Sequence, residues 1–198
     1  MKNSLIYLPG FNSGPQSEKS AQLKLQFPQL AVASYDSWNP DNGYRQIDAL
    51  FRPDLDKNLV LIGSSLGGFW AYQFAKKYGL KCVLLNPCMS PEITLKPFIG
   101  AVENMYSKKK GVLKPEYLLR YSVYRFSGGA QCTVLHEKGD ELIPYRESVE
   151  NFAGQAKLVL LEGGSHRFVN VQRAIEEIKA LQSAPIRQAM NPGVAADK

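Results

Sequence analysis

Ser65 stands at the centre of a Gly-x-Ser-x-Gly pentapeptide, Gly63-Ser64-Ser65-Leu66-Gly67, which directly follows the apolar run Asn58–Ile62. In this setting the central serine is predicted to occupy a sharp strand-to-helix turn that holds its hydroxyl clear of the backbone. Glycine is expected at both flanks, because a side chain there would clash as the turn closes. The pattern indicates a serine that attacks a carbonyl carbon, which is the chemistry of a hydrolase or an acyltransferase.

An activated serine needs a general base, since an alcohol is barely ionised at neutral pH. The chain has two histidines. His166 lies in the glycine-rich stretch Glu162–Phe168, just past a predicted strand, whereas His136 lies inside the apolar run Cys132–His136. Catalytic groups gather on loops at the carboxyl ends of strands. We therefore favour His166 as the base and interpret His136 as a partly buried structural histidine.

The base in turn needs a carboxylate that orients it and stabilises the imidazolium. Asp140 follows the fifth predicted strand, in the chain order Ser, Asp, His that is typical of α/β-hydrolases. Glu141 is its rival, and Asp36, after the second predicted strand, is a more distant one. A Gly-Asp pair is also common in turns and helix caps. The position of Asp140 after the strand favours the catalytic interpretation.

Two preorganised backbone donors are needed for the oxyanion that develops on the substrate. The amide of Leu66, the residue after the nucleophile, is one candidate. The amide of Phe11, in the loop Leu8–Gly14 after the first predicted strand, is the other. A plain turn is the simpler interpretation of this loop, but its place beside the serine strand favours function.

Short apolar runs alternate with amphipathic stretches, which predicts an α/β fold with a mostly parallel sheet between helices. The predicted strands are Leu5–Leu8, Leu30–Tyr35, Leu59–Ile62, Cys82–Asn86, Thr133–His136 and Leu158–Leu161. The predicted helices are Ser17–Phe27, Tyr44–Phe51, Leu66–Tyr78, Tyr145–Ala153 and Phe168–Gln182.

The interval between the fourth and fifth predicted strands is too long for an ordinary connection. We expect residues 88–129 to form a small cap or lid, with helical pieces over Pro91–Met105 and Pro115–Phe126. One domain is predicted over residues 1–183. Residues 184–198 are predicted to be a flexible tail, because they combine two prolines with little apolar periodicity.

Composition narrows the class of protein. The chain has 198 residues and a net charge of +6, and most of the excess lies between Tyr106 and Arg125. A general nucleic-acid-binding surface is therefore not expected. The three cysteines form neither a disulfide framework nor a metal spacing, no run is long enough to span a membrane, and no cofactor is expected. A cytoplasmic location is the default prediction.

These residues together resemble the α/β-hydrolase superfamily and, more narrowly, the small bacterial esterases of the YqiA/YcfP type, or UPF0227 family. The matching segments, in chain order, are Ile6–Ser13, Ser17–Lys19, Ile62–Ala71, Leu85–Pro87, Gly139–Glu141 and Gly164–Phe168. The chain departs from the pattern at Pro9, where many relatives place a histidine before the glycine. That departure bears on the geometry of the loop and not on the base.

The resemblance implies a minimal α/β-hydrolase fold that lacks the superfamily's first hairpin, with six strands in the order 2-1-3-4-5-6. It implies an esterase that acts on small-molecule acyl esters, or on thioesters such as acyl-CoA. By position, it makes Ser65, Asp140 and His166 the catalytic triad. A catalytically silent binding protein of the same fold and an acyltransferase with the same triad remain the alternatives, and the sequence leaves the oligomeric state open.

The basic cluster Lys108–Lys110 supports a separate hypothesis. If it lies near the mouth of the pocket, it would attract a phosphate-bearing substrate such as an acyl-CoA or an acyl carrier protein. A solvated lid is the simpler interpretation, and we favour it.

Overall fold

Short apolar segments of the chain form the strands of a parallel sheet. The computed structural model describes residues 4–51 and 58–185. Over these residues the strands are β1 (Leu5–Leu8), β2 (Ala31–Val32), β3 (Val60–Ser64), β4 (Lys81–Leu85), β5 (Gly100–Glu103), β6 (Lys110–Leu113), β7 (Gln131–Glu137) and β8 (Lys157–Leu161). Every residue of β1, β3 and β4 is buried, as expected of strands covered by helices on both faces.

Six of the strands pair in one sheet, and all its neighbours run parallel in the order β2-β1-β3-β4-β7-β8. Numbered along the chain without the separate β5–β6 pair, this is the predicted order 2-1-3-4-5-6. The register pairs Ser64 with Leu85 and Leu85 with Leu135. The carboxyl ends of the central strands therefore lie side by side, where ligands bind in open α/β sheets.

Helices cover both faces of this sheet. They are α1 (Glu18–Gln26), α2 (Pro40–Asp48), α3 (Leu66–Tyr78), α4 (Pro91–Thr94), α5 (Pro115–Arg120), α6 (Tyr145–Phe152) and α7 (Val171–Ser183). The apolar core on one face contains residues of α2, α3, α5 and α6, and the core on the other contains residues of α1 and α7. Within the described residues, none of the helices combines the length and the apolar composition that a membrane crossing requires.

Several predicted boundaries are corrected by the structure. Helix α2 begins at Pro40, four residues before the predicted start, because Asn39 caps it by accepting from the amides of Asp41 and Asn42. Helix α7 begins at Val171. Phe168, predicted to be its first residue, lies instead in a turn with a φ of 57°, although its side chain is buried. The predicted strand Leu30–Tyr35 is reduced to the two residues of β2.

Residues 86–130 connect β4 to β7, and this connection is called the insertion below. Its second predicted helical piece corresponds to α5 and a following 3-10 turn over Tyr121–Tyr124. The first prediction, a helical piece over Pro91–Met105, is wrong beyond the short α4 and a 3-10 turn at Lys96–Phe98. There the chain enters β5, which pairs antiparallel with β6 to form a hairpin.

A contact with a distant part of the chain fixes this hairpin. Gly111 lies against the ring of Trp38, and a Cβ at Gly111 would come within 2.3 Å of the ring. The indole N–H of Trp38 in turn donates to the side-chain oxygen of Asn12. The domain boundaries and the cap function stay predictions. Of the predicted flexible tail, residues 186–198 lie outside the described residues.

Candidate active site

Ser65 occupies the turn between β3 and α3, with a φ of 53° and a ψ of −122°. A non-glycine residue held in such a sparsely populated conformation costs about 1–3 kcal/mol, so the surroundings must hold it there. Its amide donates to the carbonyl of Leu85 at 3.0 Å, and its carbonyl accepts from the amides of Gly68 at 2.8 Å and Cys88 at 3.0 Å. The turn around Ser65 is thus fastened to both neighbouring segments.

The two glycines of the pentapeptide are required by close backbone approach. A Cβ at Gly63 would lie 2.2 Å from the carbonyl oxygen of Gly67, and a Cβ at Gly67 would lie 1.9 Å from the carbonyl oxygen of Leu8. No side chain fits at either distance. The sequence-based reason for these glycines is therefore confirmed.

The structure brings Ser65, His166 and Asp140 together from three separate loops. Nε2 of His166 lies 3.0 Å from Oγ of Ser65, and Nδ1 lies 3.0 Å from each carboxylate oxygen of Asp140. The Asp140 side chain is fully buried, and the His166 side chain is 18% exposed. In this geometry Nδ1–H donates to Asp140, which leaves Nε2 free to accept the hydroxyl proton of Ser65.

The Asp140 carboxylate is held in its ionised form. Burial alone would raise its pKa, but hydrogen bonds from His136, His166 and the amide of Ile143 outweigh burial and hold the pKa well below its usual value. Its Oδ1 also accepts from the amides of Leu142 at 2.9 Å and Ile143 at 2.8 Å. Asp140 therefore caps a turn and contacts the imidazole at the same time.

The rival carboxylates have other partners. Glu141 accepts from the backbone amide of His166 at 2.9 Å, so it contacts the main chain of the loop and not the ring. Asp36 accepts from the amides of Trp38 at 3.0 Å and Asn39 at 3.1 Å, in the loop before α2. Of the three candidates, Asp140 is the one that the structure places on the imidazole of His166.

His136 is fully buried behind Asp140, whereas the sequence predicted a partly buried structural histidine. Its Nδ1 lies 2.7 Å from Oγ of Ser148, and its Nε2 lies 3.0 Å from the carbonyl oxygen of Ile143 and 3.5 Å from Oδ2 of Asp140. With both nitrogens engaged and no exposed surface, His136 cannot serve as the base at Ser65. His136 instead packs against the turn that contains Asp140 and supports it.

Two residues for which the sequence predicted no role in the site support the His166 loop. Glu137, at the buried end of β7, accepts from the amide of Ser165 at 2.8 Å and from the amide and side chain of Asn170 at 2.8 and 2.6 Å. Asn86 donates to the carbonyl of Ser165 at 2.8 Å and accepts from the amide of Glu137 at 2.8 Å. In the sequence, the one indication of this role was that both residues lie at the carboxyl ends of strands.

The loop after β1 approaches the serine closely. A Cβ at Gly10 would lie 3.2 Å from the Cβ of Ser65. Of the next three amides, that of Asn12 donates to Ser37 Oγ at 3.2 Å and that of Ser13 to the carbonyl of Gly10 at 3.2 Å. The amide of Phe11 has no acceptor among the described residues, and the same holds for Leu66 at the start of α3. Both predicted donors are thus available.

A cavity of about 370 Å³ opens at Ser65 and His166. This volume lies in the range of small-molecule sites. Its apolar lining comes mainly from the loop after β1, the insertion and the loop after β7, and includes Phe11, Leu95, Phe98, Met105, Tyr106 and Leu142. The rings of Phe11 and Phe98 lie 5.5 Å apart. Lys19, Glu18, Glu141 and Arg167 supply the charged lining.

The basic cluster lies at the turn of the hairpin. Lys108 is 71% exposed, and Lys109 stands over the ring of Trp38 at 5.9 Å. Lys109 lines a neighbouring cavity beside Asp36 and Trp38. Met105 and Tyr106, at the start of the same turn, line the cavity at Ser65. In the described parts of the chain, His, Cys, Asp and Glu side chains form no group of three that could hold a metal ion.

Comparison with known proteins gives the family. The model of the uncharacterised protein family UPF0227 matches residues 4–183. The chain belongs to the UPF0227 family. A UPF0227 protein from Serratia proteamaculans is 26% identical over 187 residues, which cover 91% of this chain and 99% of that protein. The UPF0227 protein YcfP from Escherichia coli O9:H4 is 25% identical over 190 residues, covering 90% and 98%.

Solved structures show the fold of this UPF0227 protein. The mouse alpha/beta hydrolase domain-containing protein 10 superposes with a TM-score of 0.69 at 13% identity, covering 89% of this chain and 88% of the other. Est1E from Butyrivibrio proteoclasticus, in a structure with bound ferulic acid, gives a TM-score of 0.66 at 20% identity, covering 91% and 89%. The chain has the α/β-hydrolase fold, as the sequence predicted.

Proposed function

We propose that this UPF0227 protein is a serine hydrolase that cleaves carboxylic esters or thioesters through an acyl-enzyme. One observation carries the proposal: His166 lies 3.0 Å from Ser65 Oγ on one side and 3.0 Å from the buried Asp140 carboxylate on the other. A nucleophile, a base and an orienting carboxylate in hydrogen-bonded series form the arrangement that activates a serine.

The reaction follows from this geometry. His166 takes the Ser65 proton as Oγ attacks the carbonyl carbon, and the Asp140 carboxylate stabilises the imidazolium that forms. The amides of Leu66 and Phe11 donate to the oxyanion, and Leu66 adds the positive end of the α3 dipole. The leaving alcohol or thiol takes its proton from His166. A water deprotonated by the same ring then releases the acid and restores Ser65.

The walls of the cavity favour a small acyl group. Phe11, Leu95, Phe98 and Met105 offer apolar surface beside Ser65, and the cavity volume of about 370 Å³ suits a short chain. Some structures with the same fold are described as esterases or as lipolytic enzymes, which supports ester chemistry here. A coenzyme A thioester remains within the proposal, since its acyl group would meet the same serine.

Labelling with a fluorophosphonate probe tests this proposal directly. We expect wild-type protein to be labelled and to hydrolyse short p-nitrophenyl esters. Ser65→Ala should lose the label and at least about 10⁴-fold of the rate while it keeps its fold. Ser122→Ala, at an exposed serine outside the cavity, is the matched control and should keep both.

The outcomes separate the alternatives. A Ser65→Ala protein that is still labelled and active would exclude Ser65 as the nucleophile. Wild-type protein that is neither labelled nor active on any ester would favour the silent binding protein. If added alcohols appear as new esters among the products, the acyl-enzyme is transferred to acceptors other than water, and the protein acts as an acyltransferase.

A further inference from the structure

Lys19 occupies a position that is costly for a lysine. It is the second residue of α1, where the helix dipole favours negative charge and disfavours an ammonium group. Its side chain is partly buried at the wall of the cavity, which removes part of the water that would otherwise solvate the ammonium group. Helix formation therefore gains nothing from a cation here.

The contacts of the Lys19 ammonium leave part of it unsatisfied. Nζ donates to Oγ of Ser64 at 2.9 Å and lies 5.6 Å from the centre of the Phe168 ring. Among the described residues no carboxylate lies within 4.0 Å of it. An ammonium has three donor hydrogens, so a further acceptor can be bound from the cavity.

The two carboxylates that attract Lys19 from a distance are committed elsewhere. Glu137 accepts from Ser165 and Asn170, and Asp140 accepts from His166. Burial lowers the pKa of Lys19 to about 8, although Glu137 and Asp140 attract the ammonium group and oppose this shift. At pH 7 the lysine is therefore protonated in most molecules. The cavity therefore contains a cation beside the nucleophile without a neutralising partner in contact.

We propose that Lys19 binds a carboxylate of the substrate, so that the protein prefers esters that carry a second, negatively charged carboxyl group. The inference rests on the proposed function of Ser65. Lys19 Nζ contacts Ser64, the residue next to the nucleophile, and lines the same cavity as Ser65 and His166. A carboxylate on Lys19 would replace the missing partner and hold the ester carbonyl close to Ser65.

Matched substrates test the preference. The monomethyl esters of succinate, glutarate and adipate have a free carboxylate at the end of a short chain, and the dimethyl esters of the same acids have none. We expect wild-type kcat/KM to be about 10- to 100-fold higher for the best monoester than for its diester, the range expected of one hydrogen bond to a charged group.

Substitutions assign the preference to Lys19. Lys19→Met should bring the monoester-to-diester ratio close to one, and Lys19→Arg should retain a ratio above that of Lys19→Met. Lys24→Met, at an exposed lysine in the last turn of α1, is the matched control and should keep the wild-type ratio. Thermal unfolding of each variant shows whether it folds, and the ratio measured on wild-type protein stands independently of that result.

A second pair of substrates locates the charge. O-acetylglycolate has its carboxylate on the leaving alcohol, and its methyl ester has none. A preference confined to the dicarboxylic monoesters places the carboxylate on the acyl side, and one confined to O-acetylglycolate places it on the leaving side. Either result supports the inference.

Two results would overturn it. One is a wild-type protein that hydrolyses neutral and charged esters equally well. The other is an equal loss on both substrates in Lys19→Met, which would make Lys19 a positioning residue for Ser64. If no ester is hydrolysed and Ser65 takes no fluorophosphonate label, the proposed function itself fails, and the two failures are thereby distinguished.

Discussion

Nε2 of His136 lies 3.5 Å from Oδ2 of Asp140, and neither side chain is exposed. Asp140 is therefore flanked by two histidines, one of which lines the cavity while the other is enclosed between β7 and α6. The two histidines of the chain thus meet at one carboxylate, with different access to the cavity. This arrangement makes the buried member testable apart from the exposed one.

Replacing the buried histidine should lower stability and rate together. His136→Ala removes the neighbour of Asp140 and takes the imidazole away from the Ser148 hydroxyl and the Ile143 carbonyl, so we expect about 2–4 kcal/mol less free energy of unfolding. The hydrolysis rate should fall because Asp140 loses support. Urea unfolding and ester hydrolysis measure the two effects. Ser148→Ala, which removes only the contact at Nδ1, should cost about 1 kcal/mol. Full activity in His136→Ala would show that Asp140 is held without it.

Substitutions of the neighbouring carboxylates Asp140 and Glu141 should differ sharply in their effect on kcat. Asp140→Asn removes the negative charge that orients and stabilises the His166 ring, so kcat should fall by about 10³–10⁴-fold. Glu141→Gln keeps an acceptor for the His166 amide and should change kcat by less than about 10-fold. Steady-state kinetics on one ester checks both. Similar losses in the two variants would contradict the assignment of Asp140.

Two glycines of the loop after β1 form a matched pair. A Cβ at Gly10 would lie 3.2 Å from both Ser64 O and the Cβ of Ser65, whereas a Cβ at Gly14 would meet only the flexible end of Gln16 at 3.4 Å. We expect Gly10→Ala to displace the Phe11 amide and lower kcat by about 10- to 100-fold. Gly14→Ala should leave kcat nearly unchanged. Equal kinetics in the two variants would remove this loop from the oxyanion site.

The free energy of unfolding should change with pH as Lys19 loses its proton. Its pKa is lowered to about 8 in the folded protein and is near 10.5 when unfolded. Between these values the unfolded chain binds more protons, so this group makes the folded state more stable as pH rises from 8 to 10.5. Relative to Lys19→Met, wild-type protein should gain on the order of 1–3 kcal/mol by pH 10.

Denaturant unfolding at pH 7, 8, 9 and 10 measures this difference. Other groups titrate over the same range in both proteins, so only the difference between the two curves is interpreted. The curve of unfolding free energy against pH for Lys24→Met should run parallel to that of the wild-type protein. Parallel curves for Lys19→Met as well would mean that Lys19 titrates at the same pH in the folded and unfolded chain.

The sequence predicted those parts of the fold that have a strong pattern in neighbouring residues. The buried strands β1, β3 and β4 are continuous apolar runs, and α3 follows directly from the pentapeptide at Ser65. The pairing of Ser65 with His166 and Asp140 followed from loop positions at strand ends. Local pattern was sufficient there because strand order brings those ends together.

The features that the sequence did not predict depend on contacts between residues that are far apart in the chain. Strands β5 and β6 have four residues each, too few to establish an alternating pattern, and the contact of Gly111 with Trp38 that holds them joins remote parts of the chain. Lys19 was singled out only as part of a family motif, because a lysine in a first helical turn is ordinarily on the surface. Its burial is set by Ser64 and Phe168, which pack against it from other elements.

The hairpin and the loop after β1 are tied together. The amide of Met105 donates to the carbonyl of Asn12 at 2.9 Å, and the side chain of Asn104 donates to the carbonyl of Ser13 at 2.9 Å. Displacing the hairpin from the pocket while that loop stays in place would break both hydrogen bonds. If the insertion is the predicted cap and the Phe11 amide binds the oxyanion, as proposed above, these hydrogen bonds couple the two, and we expect a length change in the hairpin to alter substrate choice and turnover together.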